Sequence, residues 1–206
     1  MRVLIADDIQ ETRRNTRLML ATIDNVEVVA IASNGLQAVQ LAKEHQPDIV
    51  FLDINMPEMD GLTAYQEIHK ILPGTGCVII SAEKDTTTLR NAMSIGVQEY
   101  LIKPFTVEEL EAAVARVHEQ AELTRKKIDQ DAQIKQQRQA FLLQLAAEYA
   151  KAHRTDEKAM QVFEYLAENP KCEMRWIQNL AMIYIVRQRW GKLKALAEKI
   201  EKRTKK

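Results

Sequence analysis

Short apolar runs alternate with amphipathic stretches over the first half of the chain. Five runs rich in Val and Ile have the length of β-strands, namely Val3–Ala6, Val26–Ala32, Ile49–Leu52, Val78–Ile80 and Val97–Ile102. Between them, helical periodicity extends over approximately Glu11–Thr22, Leu36–His45, Thr63–Leu72 and Thr86–Ile95. Near-continuous apolar strands separated by helix-length segments predict a parallel sheet covered on both faces. We therefore expect a doubly wound five-stranded α/β domain over residues 1–120.

The pattern then predicts a helix that leaves this domain. Thr106 and Glu109 form a capping box, which marks a helix start. The apolar stripe that follows consists of Leu110, Val114, Val117 and Ala121. Residues 121–139 contain no Gly or Pro and become strongly polar, which predicts an exposed helical connector. A flexible linker is the alternative, and charged residues at the continued heptad positions disfavour a coiled coil.

Residues 140–206 show helical periodicity throughout, with expected helices at roughly 140–153, 156–168, 173–187 and 190–203. The clearest break is Asn169-Pro170. The pattern Leu145-Ala146-x-x-Tyr149 recurs 35 residues later as Leu180-Ala181-x-x-Tyr184. Ala159 and Phe163 follow the first copy, and the second is followed by Leu193, Ala197 and Ile200. This alternation of small and large residues predicts an all-α module of paired, stacked helices.

The formal net charge of zero hides an asymmetry along the chain. Residues 1–106 hold 9 Lys and Arg against 14 Asp and Glu, whereas residues 140–206 hold 14 against 8. An acidic front and a basic back fit two modules with different partners, although a solvated basic surface is the simpler interpretation. No stretch approaches the roughly 20 apolar residues that cross a bilayer. Asp7 and Asp8 come too early for a signal peptide, so we expect a cytoplasmic protein without a membrane partner.

Candidate chemistry gathers at the predicted strand ends. Asp7 and Asp8 end the first strand, and Asp53 ends the third. With the strand order 2-1-3-4-5, these two strands are neighbours, and ligands of open parallel sheets bind at their carboxyl ends. Three converging carboxylates repel one another unless a cation is present, and Mg²⁺ suits carboxylates, waters and phosphate oxygens. The pattern predicts a magnesium site at this edge.

The same edge carries groups suited to phosphoryl transfer. A carboxylate can accept a phosphoryl group as an aspartyl phosphate. Lys103, after the fifth strand, can neutralise the phosphoryl oxygens, and Ser81, ending the fourth strand, can donate its hydroxyl. Each feature alone has a plainer explanation: acidic pairs and serines often cap helices, and Lys-Pro is usually a turn. Their combination at the strand ends favours phosphoryl chemistry.

Residues 1–120 resemble the receiver domain of bacterial response regulators, a flavodoxin-like fold. The residues that carry the resemblance are Ile5-Ala6-Asp7-Asp8, Asp53-Ile54-Asn55-Met56-Pro57-Glu58-Met59-Asp60-Gly61, Ser81-Ala82 and Tyr100-Leu101-Ile102-Lys103-Pro104-Phe105. The resemblance implies that Asp53 is the phosphoacceptor and that Mg²⁺ is held by Asp7, Asp8, Asp53 and the Asn55 backbone carbonyl. It also implies that Lys103 contacts the phosphoryl group.

The resemblance further implies a switch and a set of partners. Ser81 would move toward the phosphoryl group and Tyr100 would swing inward behind it, while Asn55 and Glu83 border the route of an attacking water. The expected phosphodonor partner is a sensor histidine kinase or a phosphotransfer protein. Catalysis would be limited to phosphoryl transfer to Asp53 and hydrolysis from it, so the chain is not an enzyme with an independent substrate.

The C-terminal pattern is similar to tetratricopeptide repeats, which implies a protein-binding output. It departs from them through a one-residue insertion in the first copy, through the positions of Trp176 and Trp190, and through its two copies where about three are usual. A transcriptional or RNA-binding output is the alternative, with basic residues clustered at 202–206. No Gly-containing turn precedes a basic recognition helix, which disfavours DNA binding. A homodimer through the helical segments is left open.

Overall fold

The computed structural model describes residues 1–82 and 86–204 of the chain. Two compact units are present, Met1–Gln130 and Asp131–Lys206. The first is built on five parallel strands in the order β2-β1-β3-β4-β5, with β1 at Arg2–Ala6, β2 at Glu27–Ala32, β3 at Ile49–Asp53, β4 at Gly76–Ser81 and β5 at Glu99–Ile102. The predicted fold class and strand order are confirmed.

Helices cover both faces of the sheet: α1 at Gln10–Leu20, α2 at Gly35–His45, α3 at Gly61–Ile71, α4 at Thr86–Ser94 and α5 at Val107–Lys151. Alternate strand residues point to opposite faces, so β1 sends Val3 and Ile5 into one core and Leu4 and Ala6 into the other. One core holds α2, α3 and α4 side chains, and the other holds those of α1 and α5. Burial on both faces explains the continuous apolar runs in the sequence.

The fifth strand is shorter than the run Val97–Ile102 that sequence reasoning predicted. The Val97 amide donates to the carbonyl of Ala92, so it completes the turn that ends α4. The Gln98 side chain accepts from the Cys77 amide in β4. These two residues are buried or partly buried without belonging to the ladder, and apolar character alone therefore misplaced the start of the strand.

The predicted capping box is present at the start of α5. The Thr106 amide donates to the Glu109 carboxylate at 2.9 Å, and the Glu109 amide donates to the Thr106 hydroxyl at 3.2 Å. The helix buries the expected stripe, Leu110, Val114, Val117 and Ala121. It then continues through residues 121–139 without a break, so this segment is helical rather than a loop.

Two glycines allow α5 to lie close to the first unit's sheet. A Cβ atom on Gly76 would lie 2.3 Å from a Val117 methyl carbon, and one on Gly74 would lie 2.7 Å from Cγ of Arg125. Arg125 donates to the Gly74 carbonyl at 3.0 Å and to the Asp48 carboxylate at 2.6 Å. The packing of α5 on this unit therefore extends beyond residue 120.

The second unit contains the last part of α5 together with α6 at Glu157–Glu168, α7 at Met174–Val186 and α8 at Trp190–Thr204. Its core includes Ala146, Phe163, Trp176, Leu180 and Tyr184. In α8 the buried residue is Leu196, whereas Ala197, expected to pack inward, is exposed. Leu193 and Ile200 pack against the core as expected, and Leu196 is buried in place of Ala197. Among the described helices, none combines the length and hydropathy needed to cross a bilayer.

Candidate functional site

The carboxyl ends of β1 and β3 hold the two most buried acidic side chains of the candidate site. The strands are neighbours in parallel register, with Ala6 opposite Leu52. Asp7 follows β1 and is 3% exposed, and Asp53 ends β3 and is 7% exposed. Both occupy the edge of the sheet where sequence reasoning placed the chemistry.

Lys103 joins the two carboxylates. Its ammonium group lies 2.7 Å from Oδ2 of Asp7 and 2.5 Å from Oδ1 of Asp53. The Lys103 amide donates to the Ser81 carbonyl at 2.8 Å, which continues the pairing of β5 with β4 past the last ladder residues. The structure thus brings together Asp7, Asp53 and Lys103, which are far apart in the sequence.

The other expected residues are placed differently. Ser81 is 1% exposed at the end of β4, and Tyr100 lies half-buried in β5 opposite Ile79. The Asn55 side chain is exposed, while its amide donates to Oδ2 of Asp53 at 2.8 Å. Glu83 lies outside the described residues.

Asp8 departs from the expected cluster of three carboxylates. Its side chain is exposed. Within residues 1–82 and 86–204, no group of three or more His, Cys, Asp and Glu side chains is arranged to hold a metal ion. Lys103 contacts Asp7 and Asp53, whereas Asp8 lies at the surface.

The contact with Lys103 does not fully offset the burial of Asp53. Burial raises the pKa of Asp53, and the negative charge of Asp7 raises it further. The hydrogen bond and charge of Lys103 act in the opposite direction, but the net pKa of Asp53 is still above its ordinary value. Burial alone would lower the pKa of Lys103, yet its bonds to Asp53 and Asp7 leave that pKa raised. An additional positive charge beside Asp53 would therefore favour its ionised form.

Sequence reasoning missed the groups that hold Asp7 in place. The Ile9 amide donates to Oδ1 of Asp7 at 2.8 Å, just before α1 begins. Arg13, one turn into α1, donates to the Asp7 carbonyl at 2.5 Å. Nothing in the spacing of Arg13 distinguishes it from Arg14 or Arg17 on the same helix, so the sequence alone could not have identified it.

Gly61 supports Asp53 from the other side. A Cβ atom at this position would lie 2.1 Å from the backbone oxygen of Asp53. Asp60 caps α3 by accepting from the Thr63 amide at 2.8 Å, and the Gly61 amide donates to the Ile54 carbonyl at 3.0 Å. Asp-Gly is a common turn sequence, but no local pattern in the sequence indicates the contact of Gly61 with the end of β3.

The donor set fits a hard divalent cation such as Mg²⁺. Carboxylate and backbone carbonyl oxygens are its preferred protein ligands. Two adjacent carboxylates that share a single ammonium group, one of them with a raised pKa, are stabilised by an additional positive charge.

Comparisons with known proteins agree with this geometry. Residues 3–115 match the family described as the response regulator receiver domain. The chemotaxis protein CheY of Bacillus subtilis is 39% identical over 113 residues, which is 55% of this chain and 93% of CheY. The probable C4-dicarboxylate response regulator DctR of Priestia megaterium is 36% identical over 112 residues, 54% of this chain. That match covers 49% of DctR, so the chain spans about half the length of this relative.

A solved structure shows the same fold. The CheX–CheY–BeF3–Mg²⁺ complex from Borrelia burgdorferi is 28% identical with a TM-score of 0.53, covering 55% of this chain and 86% of the matched chain. These matches leave the helical second unit without a counterpart, because each of them covers little more than half of the chain.

Proposed function

The chain belongs to the response regulator receiver family of two-component signalling, and we propose that Asp53 is its phosphoacceptor. The observation that carries the proposal is the bridge from Lys103 to the carboxylates of Asp7 and Asp53 at the carboxyl edge of the sheet. Response regulators receive their phosphoryl group from sensor histidine kinases or phosphotransfer proteins. A donor of that class is the partner that this site would accept.

The proposed reaction is a direct phosphoryl transfer. A carboxylate oxygen of Asp53 attacks the donor's phosphorus, the bond from phosphorus to the leaving group breaks, and its electron pair departs with that group. Lys103 turns from the carboxylates toward the phosphoryl oxygens and neutralises part of their charge. Hydrolysis later breaks the bond between phosphorus and Asp53 through attack by water, so no separate substrate is turned over.

Mg²⁺ would supply the remaining positive charge at this site, held by Asp7, Asp8, Asp53 and the Asn55 backbone carbonyl. The exposed Asp8 would have to turn toward the other two carboxylates. Asp7 is already fixed by Ile9 and Arg13, so it offers an ordered oxygen from the start.

We further assign the switch to Ser81 and Tyr100. The Ser81 side chain is buried beside the site and would donate to a phosphoryl oxygen, and Tyr100 lies in the neighbouring strand β5. A new charge of about −1.5 to −2 with strong acceptor oxygens is sufficient to reorient nearby hydroxyl and ammonium groups. Asn55 and Glu83 would tune the lifetime of the phosphoryl group.

The proposed output is a protein-binding helical module that resembles tetratricopeptide repeats. Four helical segments with a common apolar core support it, as do the two related patterns Leu145–Tyr149 and Leu180–Tyr184. A nucleic-acid-binding output is the second candidate, favoured only by the basic balance of residues 140–206. Binding that weakens steeply with salt and is lost on neutralising residues 202–206 would support it instead.

Phosphodonor labelling tests the receiver function. Incubation of the full chain with acetyl phosphate and Mg²⁺ is expected to add one phosphoryl group, measured by intact-protein mass spectrometry. Asp53→Asn should abolish this addition, whereas Asp24→Asn, an exposed acid in another loop, should leave it unchanged. Labelling that survives in Asp53→Asn would refute the assignment.

Co-purification tests the proposed output. A protein partner that binds the wild-type chain and an Asp53→Ala variant with different affinity is expected. A partner that ignores this substitution, or the absence of any protein partner, would reject a phosphorylation-controlled adaptor.

A further inference from the structure

Tyr65 of α3 lies at the centre of a polar network within the first unit's core. Its side chain is fully buried, and its hydroxyl donates to the Gly96 carbonyl at 3.1 Å. The Gln98 side-chain amide donates to the same hydroxyl at 3.4 Å, and its oxygen accepts from the Cys77 amide at 2.7 Å. We call these groups of Tyr65, Cys77, Gly96 and Gln98 the Tyr65 network. It connects α3 to β4 and to the turn that leads into β5.

The Gln98 side chain takes the place of a backbone partner for β4. The ladder between β4 and β5 begins with Val78 opposite Glu99, so Cys77 and Gln98 are the next positions outward. There a side-chain oxygen accepts from the Cys77 amide, which extends the attachment of β5 by one position. Burial raises the pKa of Tyr65 to about 12, so its hydroxyl stays protonated and donates at neutral pH.

The helix that precedes this turn has little apolar packing of its own. Among the side chains of residues 87–94 in α4, only Ala92 is buried. Gly96 has a φ of 90° and no side chain to pack, and its carbonyl accepts from Tyr65 of α3. Segments with few buried contacts are the ones that move most readily. The Tyr65 network is therefore a directional attachment at the end of a weakly packed helix.

Tyr100 lies on the same side of the sheet as this network. Gln98 contacts Tyr65, which belongs to the core that holds α2, α3 and α4 side chains. Tyr100, two positions after Gln98, packs against the same core from β5. It lies opposite Ile79, and Cys77 precedes Ile79 by two residues on β4, which places both on one face of that strand. A change in the position of the Tyr100 ring therefore takes place beside the network.

The network can open without leaving a buried polar group unpaired. Nδ1 of His69, one turn further along α3, lies 3.5 Å from the Tyr65 hydroxyl and is a second acceptor in one tautomer. Gly96 is exposed and Gln98 is partly exposed, so water can replace Tyr65 at both. Unpaired buried groups are the main cost of breaking a hydrogen bond inside a protein, and this cost is avoided here.

We propose that Tyr65 and Gln98 are positioning residues that hold the start of β5 in the resting state of the switch, and that phosphorylation of Asp53 loosens their network. This inference rests on the proposed acceptor and on the proposed switch through Tyr100. Because coupling between two sites is reciprocal, a network that phosphorylation weakens must in turn oppose phosphorylation. Removal of the network should therefore favour the phosphorylated state.

Beryllofluoride, a mimic of the phosphoryl group, provides the probe. Its apparent affinity for the full chain in the presence of Mg²⁺ is measured by NMR titration for the wild type and for Tyr65→Phe. Loss of the hydroxyl is expected to tighten binding about fivefold, a difference of about 1 kcal/mol. Tyr184→Phe is the matched control, because it removes a buried tyrosine's hydrogen bond of 2.7 Å to Glu164 in the second unit and should leave the affinity unchanged.

A second comparison tests whether the network acts through Tyr100. In a Tyr100→Ala background, Tyr65→Phe should change the beryllofluoride affinity by less than about twofold, because the ring that the network restrains is missing. A merely structural role of Tyr65 predicts a lower melting temperature by circular dichroism without a gain in affinity. Gln98→Glu keeps the oxygen that accepts from Cys77 and loses the donor to Tyr65, so it replaces Tyr65→Phe if that variant does not fold.

The outcomes that contradict the inference are distinguishable. Unchanged or weaker binding of beryllofluoride by Tyr65→Phe would show that the network does not restrain the switch. An equal gain in Tyr184→Phe, or in the Tyr100→Ala background, would show that the effect does not pass from the network to Tyr100. Beryllofluoride that does not bind the wild type, together with no labelling of Asp53 by acetyl phosphate, would overturn the proposed receiver function as well.

Discussion

At the scale of single residues, one ammonium group serves two buried acids. Lys103 contacts both Asp7 and Asp53, and the pKa of Asp53 remains raised because burial and the charge of Asp7 outweigh this contact. Asp53, the proposed acceptor, therefore lies in an environment that disfavours its ionised form. In the proposed function, a bound cation would relieve this cost.

Neutralising the acceptor is expected to stabilise the protein. The raised pKa of Asp53 means that the folded state favours its protonated form, so stability is lost as pH rises through that pKa. Asp53→Asn should therefore increase the free energy of unfolding at pH 7 without Mg²⁺, and the gain should vanish as pH falls below about 3.9, the ordinary value for Asp. Urea denaturation between roughly pH 3 and pH 8 measures this gain, because that range includes both the protonated and the ionised form of Asp53. Asp24→Asn serves as the control, and a destabilised Asp53→Asn at neutral pH would contradict the argument.

Gly61 gives a second test at this scale. Its Cβ atom would collide with the backbone oxygen of Asp53, so Gly61→Ala must displace the start of α3 or the end of β3. We expect a loss of roughly 1–3 kcal/mol in stability, the usual cost of overpacking, together with slower labelling of Asp53. Gly191→Ala is the matched control, since nothing lies within 4 Å of its Cβ position. Normal stability and labelling in Gly61→Ala would show that the contact relaxes freely.

At the scale of elements, α5 is held against the first unit by a polar contact as well as by its apolar stripe. Arg125 donates to the Asp48 carboxylate and to the Gly74 carbonyl. Burial alone would raise the pKa of Asp48, but the hydrogen bonds from the Arg2 amide and Arg125 bring it below its ordinary value. The ionised form of Asp48 is thus favoured in the folded state.

A double-mutant cycle measures this contact. Asp48→Asn and Arg125→Gln should show a coupling of up to about 1 kcal/mol at pH 7, given that both side chains are partly exposed. Because the pKa of Asp48 is lowered, the contribution is complete above about 3.9, the ordinary value, and is lost as pH falls through the lowered pKa. The exposed pair of Glu67 and Lys70 provides the comparison cycle and should show a smaller coupling. Equal couplings would refute a specific anchor.

The elements also show where sequence reasoning succeeds and fails. Local sequence signals located the capping box at Thr106. The continuous apolar runs located β1 and β3, which are buried on both faces of the sheet. The start of β5 was misplaced, because Val97 is buried in the turn that ends α4 and does not belong to the strand. Arg125 and Gly74 lie 51 positions apart along the chain, and no local pattern connects them.

At the scale of the whole molecule, two units have separate cores. The first contains the α/β sheet and the candidate site, where Asp7, Asp53 and Lys103 lie in contact at the sheet edge that the sequence motifs indicated. Their roles there stay a prediction. The second was predicted as helices, and in α8 Leu193 and Ile200 pack inward as expected. The repeat comparison missed only Leu196, which is buried in place of Ala197. Repeats with only two copies leave such offsets undetermined.

Separate cores should give separable stability. Phe163 is 1% exposed and packs near Trp176, with ring centres 6.1 Å apart. Phe163→Ala is expected to cost the second unit roughly 3–5 kcal/mol. Differential scanning calorimetry should then show an earlier transition, while acetyl phosphate labelling of Asp53 remains normal. Phe51→Ala, in the first unit's core, is the counterpart and should impair labelling. Loss of labelling in Phe163→Ala would show that the units depend on each other.

The strand β3 has an attachment at each end. Asp48, directly before it, binds Arg125 of α5, and Asp53 at its other end is the proposed acceptor. Four fully buried residues, 49–52, lie between these points, which are about 17 Å apart at roughly 3.3 Å per residue of extended backbone. β3 is the central strand of the sheet, paired with β1 and β4, and it connects the two attachments directly. A shift of Asp53 along the strand axis would therefore be expected to move Asp48 and to change its contact with Arg125 of α5.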